Sequence, residues 1–185
     1  MRIISGSHKG RKLISPRHSG IRPTSDRSKE IIFSWIHFFL KDKIILDLFA
    51  GTGNLGFEAL SRSARRVIYV DHSKIATRLI DENANLLNFQ DKITIIKDDA
   101  FRAISTFSKN KKKFDFIFAD PPYKRALSTR ILSDIETYKI LAVRGGVIIE
   151  HCIDDVPMCE LKSLDLVKQK VIGETSISLY QNKRG

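Results

Sequence analysis

Ile44-Ile45-Leu46-Asp47-Leu48-Phe49-Ala50-Gly51-Thr52-Gly53-Asn54-Leu55-Gly56 decides the fold. A continuous apolar run ends in a G-x-G-x-x-G turn, and Leu55–Arg62 then reads as a helix. That is a buried strand, a glycine turn and a helix, the opening of a βα unit. The rhythm repeats downstream. Arg66–Val70 reads as a strand, Lys74–Leu87 as a helix, Ile93–Ile96 as a strand and Phe101–Phe107 as a helix. Phe114–Ala119 reads as a strand, Leu127–Tyr138 as a helix and Gly146–Glu150 as a fifth strand. Leu166–Val171 and Ser176–Tyr180 form a closing hairpin. Alternating elements with all-apolar strands predict an α/β fold: an open, mostly parallel sheet covered by helices on both faces.

Ahead of this unit, Arg2–Ser15 reads as two short strands around a turn at Ser7-His8-Lys9-Gly10. Pro16–Pro23 is a loop, and Thr24 or Ser25 can cap a helix that runs to Leu40. Ile31, Ile32, Trp35, Ile36, Phe38 and Phe39 recur at helical spacing and are expected in the core. The chain therefore divides into a basic N-terminal hairpin and loop at 1–23 and an α/β domain at 24–185.

Lys and Arg total 32 against 21 Asp and Glu, a net charge of +11. Residues 1–25 carry Arg2, Lys9, Arg11, Lys12, Arg17 and Arg22 and no acid. A one-signed segment favours a polyanionic partner, because each neutralised phosphate releases counterions. The basic run Lys109–Lys113 reads first as a solvated loop. No apolar run approaches the ~20 residues of a membrane span, and residues 1–5 carry no signal-peptide pattern. A cytoplasmic protein that contacts no membrane and acts as a monomer is expected. Cys152 and Cys159 form no CxxC pair, and no metal site is expected; both read as packed thiols.

Asp71 ends the second strand, 20 residues after Gly51. Glycines let a backbone approach a ligand, and an acid at that strand end can accept from both ribose hydroxyls. The pattern reports an adenosine-type ligand, and by itself does not separate a nicotinamide cofactor from S-adenosylmethionine. Asp47 favours the second, since a carboxylate there suits a methionyl ammonium and not a pyrophosphate. A loop hydrogen bond is its structural alternative. Asp98-Asp99-Ala100 closes the third strand, where Asp99 and the adjacent backbone can read an adenine edge.

Asp120-Pro121-Pro122-Tyr123 follows the fourth strand, at the same crevice. An exocyclic base amine is a poor nucleophile, because its lone pair is delocalised into the ring. The Asp120 carboxylate and the Pro121 carbonyl can accept its two hydrogens and restore that lone pair. Paired prolines stiffen the turn, and Tyr123 offers a face on which an extruded base can stack.

These residues carry a resemblance. Arg22-Pro23-Thr24-Ser25-Asp26-Arg27-Ser28-Lys29-Glu30-Ile31-Ile32-Phe33, the run Asp47–Arg62 and Asp120–Tyr123 resemble the bacterial 16S ribosomal RNA guanine-N2 methyltransferase D family, nearly end to end. The resemblance implies a Rossmann-like class I methyltransferase fold with a seven-stranded sheet and an N-terminal β-hairpin. It implies N2-methylation of one guanine in small-subunit 16S rRNA, with the assembling or assembled subunit as partner. Carried over by motif, it assigns Asp47, Gly51, Gly53, Asp71 and Asp99 to S-adenosylmethionine, Asp120 and Tyr123 to the guanine, and Arg22, Thr24 and Arg27 to the RNA at the active-site mouth. The residues' own chemistry adds Phe49 and Ala100 to the cofactor site, the Pro121 carbonyl to catalysis, and the basic Arg2, Lys9, Arg11 and Lys12 to the RNA contact. This chain departs from the family pattern at Asp71-His72 (more often Glu-Lys), Ile172-Gly173 (usually Tyr-Gly) and Ser28-Lys29 (commonly Val followed by Arg or Lys).

Three rivals remain on sequence. A DNA adenine-N6 methyltransferase shares the tetrapeptide but usually carries a target-recognition insertion, for which there is no room. A nicotinamide oxidoreductase leaves Asp120–Tyr123 without a role. A non-enzymatic assembly module with a vestigial pocket does not require Asp47, Asp71, Asp120 and Tyr123 all intact.

Overall fold

The computed structural model describes residues 1–15, 25–122, 127–155 and 161–183. Seven strands form one sheet: β1 (Ile44–Leu48), β2 (Arg66–Asp71), β3 (Ile93–Lys97), β4 (Phe114–Ala119), β5 (Leu141–Cys152), β6 (Leu164–Ile172) and β7 (Thr175–Asn182). Their order is β3-β2-β1-β4-β5-β7-β6. β1 to β5 are parallel, and β7 runs antiparallel to both β5 and β6. Strand order reverses between β1 and β4, so the chain leaves these two strands in opposite directions and opens a crevice at their carboxyl ends.

Helices α1 (Asp26–Ile36), α2 (Asn54–Ser61) and α3 (Lys74–Leu87) cover one face; α4 (Ala100–Lys109) and α5 (Leu127–Tyr138) cover the other. Alternate strand residues divide accordingly. Ile45, Phe116, Phe118 and Ile148 face the first layer, while Leu46, Ile117, Val147 and Ile149 face the second. Among the described residues, no helix is long and apolar enough to cross a membrane.

Two expectations need correction. The first helix ends at Ile36 and continues as a 3-10 turn, His37–Phe39. The tighter winding rotates Phe38 and Phe39 outward, leaving them 87% and 62% exposed, while Trp35 is half-buried. Core membership therefore fails for both phenylalanines. The fifth strand starts at Leu141, not Gly146, because a bulge interrupts it: Leu141 pairs with Phe114 and Gly146 with Phe116. The exposed Val143-Arg144 inside that bulge hides the strand from any periodicity argument.

The N-terminal hairpin is tied by one antiparallel bridge, Arg2 to Lys12, and by Ile3 N donating to Arg11 O (2.9 Å). Ile3 and Leu13 are buried in the α1–α2–α3 layer. Ser7 N donates to Ser61 O (2.8 Å) at the end of α2. Covered by the hairpin on one side and the sheet on the other, α2 is buried at every position.

Candidate active site

A cavity of about 560 Å³ opens where β1, β2, β4 and β5 end. Asp47, Phe49, Gly51, Asp71, Asp120 and Pro121, all expected site residues, line it. Gly53 shapes its wall as the N-cap of α2. Its φ of +78° is open to glycine at little cost, and an added Cβ would lie 2.7 Å from the Phe57 ring. At Gly56 an added Cβ would lie 2.4 Å from Tyr69. The first of these glycines forms the turn, and the second lets α2 sit close on the sheet.

The loop holds its carboxylates by backbone donors. Gly56 N donates to Asp47 Oδ2 (3.0 Å), and Gly51 N and Ser73 N donate to the two oxygens of Asp71 (2.8 Å each). Asp47 thus makes the loop bond that was its structural alternative, while still facing the cavity. Burial pushes its carboxyl well above the usual range; the Gly56 bond pulls the other way, and nearby Asp120 and Asp71 push it up further. Such a group calls for a cation. A ligand with an ammonium and a sulfonium beside a ribose suits this donor set: Asp47 to the ammonium, Asp71 to the ribose, and the open loop backbone to the rest.

Asp99 and Ala100 do not line the cavity. One oxygen of the Asp99 carboxylate, Oδ1, caps α4 by accepting from Phe101 N (3.0 Å) and Arg102 N (3.1 Å). Arg2, Lys9, Arg11, Lys12 and Arg27 are exposed and line no part of the cavity. Tyr123, Arg22 and Thr24 lie outside the described residues. So does Cys159; Cys152 is a half-buried free thiol, and His151 beside it is buried with Nε2 3.1 Å from Ser178 Oγ.

Sequence reasoning missed several participants. Ser25, Ser28, Asn54, Glu150 and Thr175 also line the cavity. Glu150 was legible by the rule that selected Asp71: an acid at the carboxyl end of a parallel strand. Lys29 was not. Its side chain is fully buried, with Nζ donating to Arg2 O and to Asn54 Oδ1 (3.1 Å), and 3.3 Å and 3.8 Å from carboxylate oxygens of Asp26 and Glu58. It binds the N-terminal hairpin to α1 and to the wall of the cavity.

A parallel sheet with a switch-point crevice, a glycine loop, and acids at the ends of successive strands defines a class I methyltransferase of the Rossmann-like type. The comparisons then fix the family. A model described as conserved hypothetical protein 95 matches residues 1–181. A candidate rRNA methyltransferase of Bacillus subtilis, YlbH, is 36% identical across 100% of both chains. The ribosomal RNA small subunit methyltransferase D of Haemophilus influenzae is 32% identical over 98% of this chain and 94% of its own. A solved structure from Escherichia coli, described as a candidate methyltransferase, yhhF, superposes with a TM-score of 0.86 at 26% identity, covering 100% of this chain and 99% of that one. The chain belongs to the small-subunit rRNA methyltransferase D family.

Proposed function

We propose that this protein transfers a methyl group from S-adenosylmethionine to the exocyclic N2 amine of one guanine in 16S rRNA of the small ribosomal subunit, acting as a monomer. The observation that carries the reading is Asp120-Pro121 lining the same cavity as the glycine loop, Asp47 and Asp71. S-adenosylmethionine is the cofactor, and when bound it supplies an electrophilic methyl on a sulfonium.

Asp47 would hold the ammonium of the cofactor and Asp71 its ribose, with the loop from Phe49 to Gly53 forming the wall beside them. Asp120 accepts one hydrogen of the target amine, and the Pro121 carbonyl accepts the other. The nitrogen lone pair is then held out of conjugation and in line for attack, so positioning supplies much of the rate. Asp120 takes up the proton as the amine gains charge. Tyr123 takes the stacking role by its place in the motif. Water is restrained by burial: Asp47 is 3% exposed and Asp71 8%. The exposed cations Arg2, Lys9, Arg11, Lys12 and Arg27 supply phosphate contacts, joined by Arg22 and Thr24, which the family resemblance assigns to the same role.

Replacing Asp120 by Ala should lower methyl transfer by roughly a hundredfold to a thousandfold and leave S-adenosylmethionine binding, read by calorimetry, unchanged. Near-wild-type turnover of that variant on small subunits would show that the assigned chemistry is wrong.

A further inference from the structure

Asp120 alone cannot tell one base amine from another, because adenine N6 and guanine N2 both present two N–H donors to it. The selecting group must meet the neighbouring ring atom. In guanine that atom is N1, which carries a proton and donates; in adenine the nitrogen beside the amine is bare and accepts.

Glu150 is placed for that contact. Ala119 of β4 pairs with Ile149 of β5, so Asp120 and Glu150 each stand one residue beyond the same register pair. Parallel neighbours lie about 4.8 Å apart, so the two side chains leave the sheet side by side, close enough for their carboxylates to converge on one ring edge. Both residues continue the Phe118–Ile148 row that faces the α1 layer. Both line the cavity, and Glu150 is only 8% exposed. Sheet order sets the direction: Asp71 on β2, Asp47 on β1, Asp120 on β4, Glu150 on β5. The cofactor carboxylates stand on one side of Asp120, and Glu150 stands on the other, where the body of the base must lie.

We infer that Glu150 is the base-reading residue of this site: its carboxylate accepts the N1–H of the target guanine and rejects adenine, whose N1 lone pair would face it. This rests on the guanine-N2 reading and supplies the selectivity that Asp120–Tyr123 lacks. Thr175 of β7, paired with Cys152 of β5, and Ile172 line the cavity beside it.

The test uses the full-length protein and undermethylated small subunits in which the guanine that it methylates is replaced by 2-aminopurine. That base keeps the same amine but has a bare N1. The wild-type protein should methylate 2-aminopurine slower than guanine by about tenfold to a hundredfold. Glu150→Gln, whose amide can donate to N1, should close or invert that ratio, with S-adenosylhomocysteine binding unchanged. Comparing ratios between the two proteins cancels the different costs of extruding each base. If the wild type uses both bases equally, the assignment to Glu150 is overturned, and this arm needs no variant to fold. An active Glu150→Gln protein with the wild-type ratio overturns it as well, as does loss of cofactor affinity without a change in ratio. Absence of N2-methylguanosine from the wild-type reaction on guanine is a separate result: it removes the underlying reading, and this inference with it.

Discussion

The back of α2 and the cleft in front of it each hold a buried carboxylate, and they treat it in opposite ways. Glu58 is fully buried, yet it accepts from Ile4 N (2.8 Å), Ser5 N (3.0 Å) and Arg62 Nε (2.8 Å), with the Lys29 ammonium at 3.8 Å. Its charge is matched within the protein. Asp47, eleven residues earlier and 3% exposed, accepts from Gly56 N and has Asp71 and Asp120 as acidic neighbours. The first region uses its charges to hold the N-terminal hairpin, α1 and α2 together. The second leaves negative charge for a cationic ligand to satisfy, at a cost to stability. A buried acid whose charge the protein itself does not match marks the binding surface; a matched one marks the frame.

Three variants, two single and one fourfold, test this contrast. Lys29→Met removes the fully buried cation and leaves Glu58 and Asn54 short of a partner, so it should lower unfolding stability by about 3–5 kcal/mol, read by chemical denaturation. An unchanged midpoint would mean that the network is not what holds the hairpin.

Asp47→Asn should act the other way. Stability should hold or rise, since a disfavoured charge is gone, while cofactor affinity falls by roughly tenfold to a hundredfold. The pH dependence follows from the raised pKa. A carboxyl whose folded pKa lies above its unfolded value loses stability for the fold as pH rises from the unfolded toward the folded value. A cationic ligand binds the ionised form, so affinity for S-adenosylmethionine should rise with pH through the same window. Calorimetry across pH should show that slope in the wild type and its loss in Asp47→Asn. Equal slopes would place the ammonium elsewhere.

The smallest effect is expected at the surface. Replacing Arg2, Lys9, Arg11 and Lys12 by Ala should weaken small-subunit binding and flatten its dependence on salt, by about one unit of slope for each phosphate left unneutralised. An unaltered salt slope would move the RNA-binding face away from the hairpin.

What the sequence disclosed, and what it hid, follows the same division. The strands and helices around the cleft were readable because apolar runs, glycines and strand-end acids are local signals. Lys74–Leu87 and Leu127–Tyr138 fall at their expected bounds. The 3-10 turn that exposes Phe38 and the bulge inside β5 were not readable, since both are decided by how the chain packs rather than by its period. Asp99, read from the sequence as an adenine contact, also caps α4 through Oδ1, a role that its place at a strand end did not disclose. Lys29 was the least visible of all. A lysine on an otherwise amphipathic helix looks solvated, and only the meeting of the hairpin, α1 and α2 shows it buried.

One measurement reaches the central claim most directly: incubating the protein with labelled S-adenosylmethionine and undermethylated small subunits, free rRNA or DNA, then digesting to nucleosides. The account predicts label in N2-methylguanosine, at one position of 16S rRNA. Label in N6-methyladenosine, label in DNA, or no label on any of the three would contradict it.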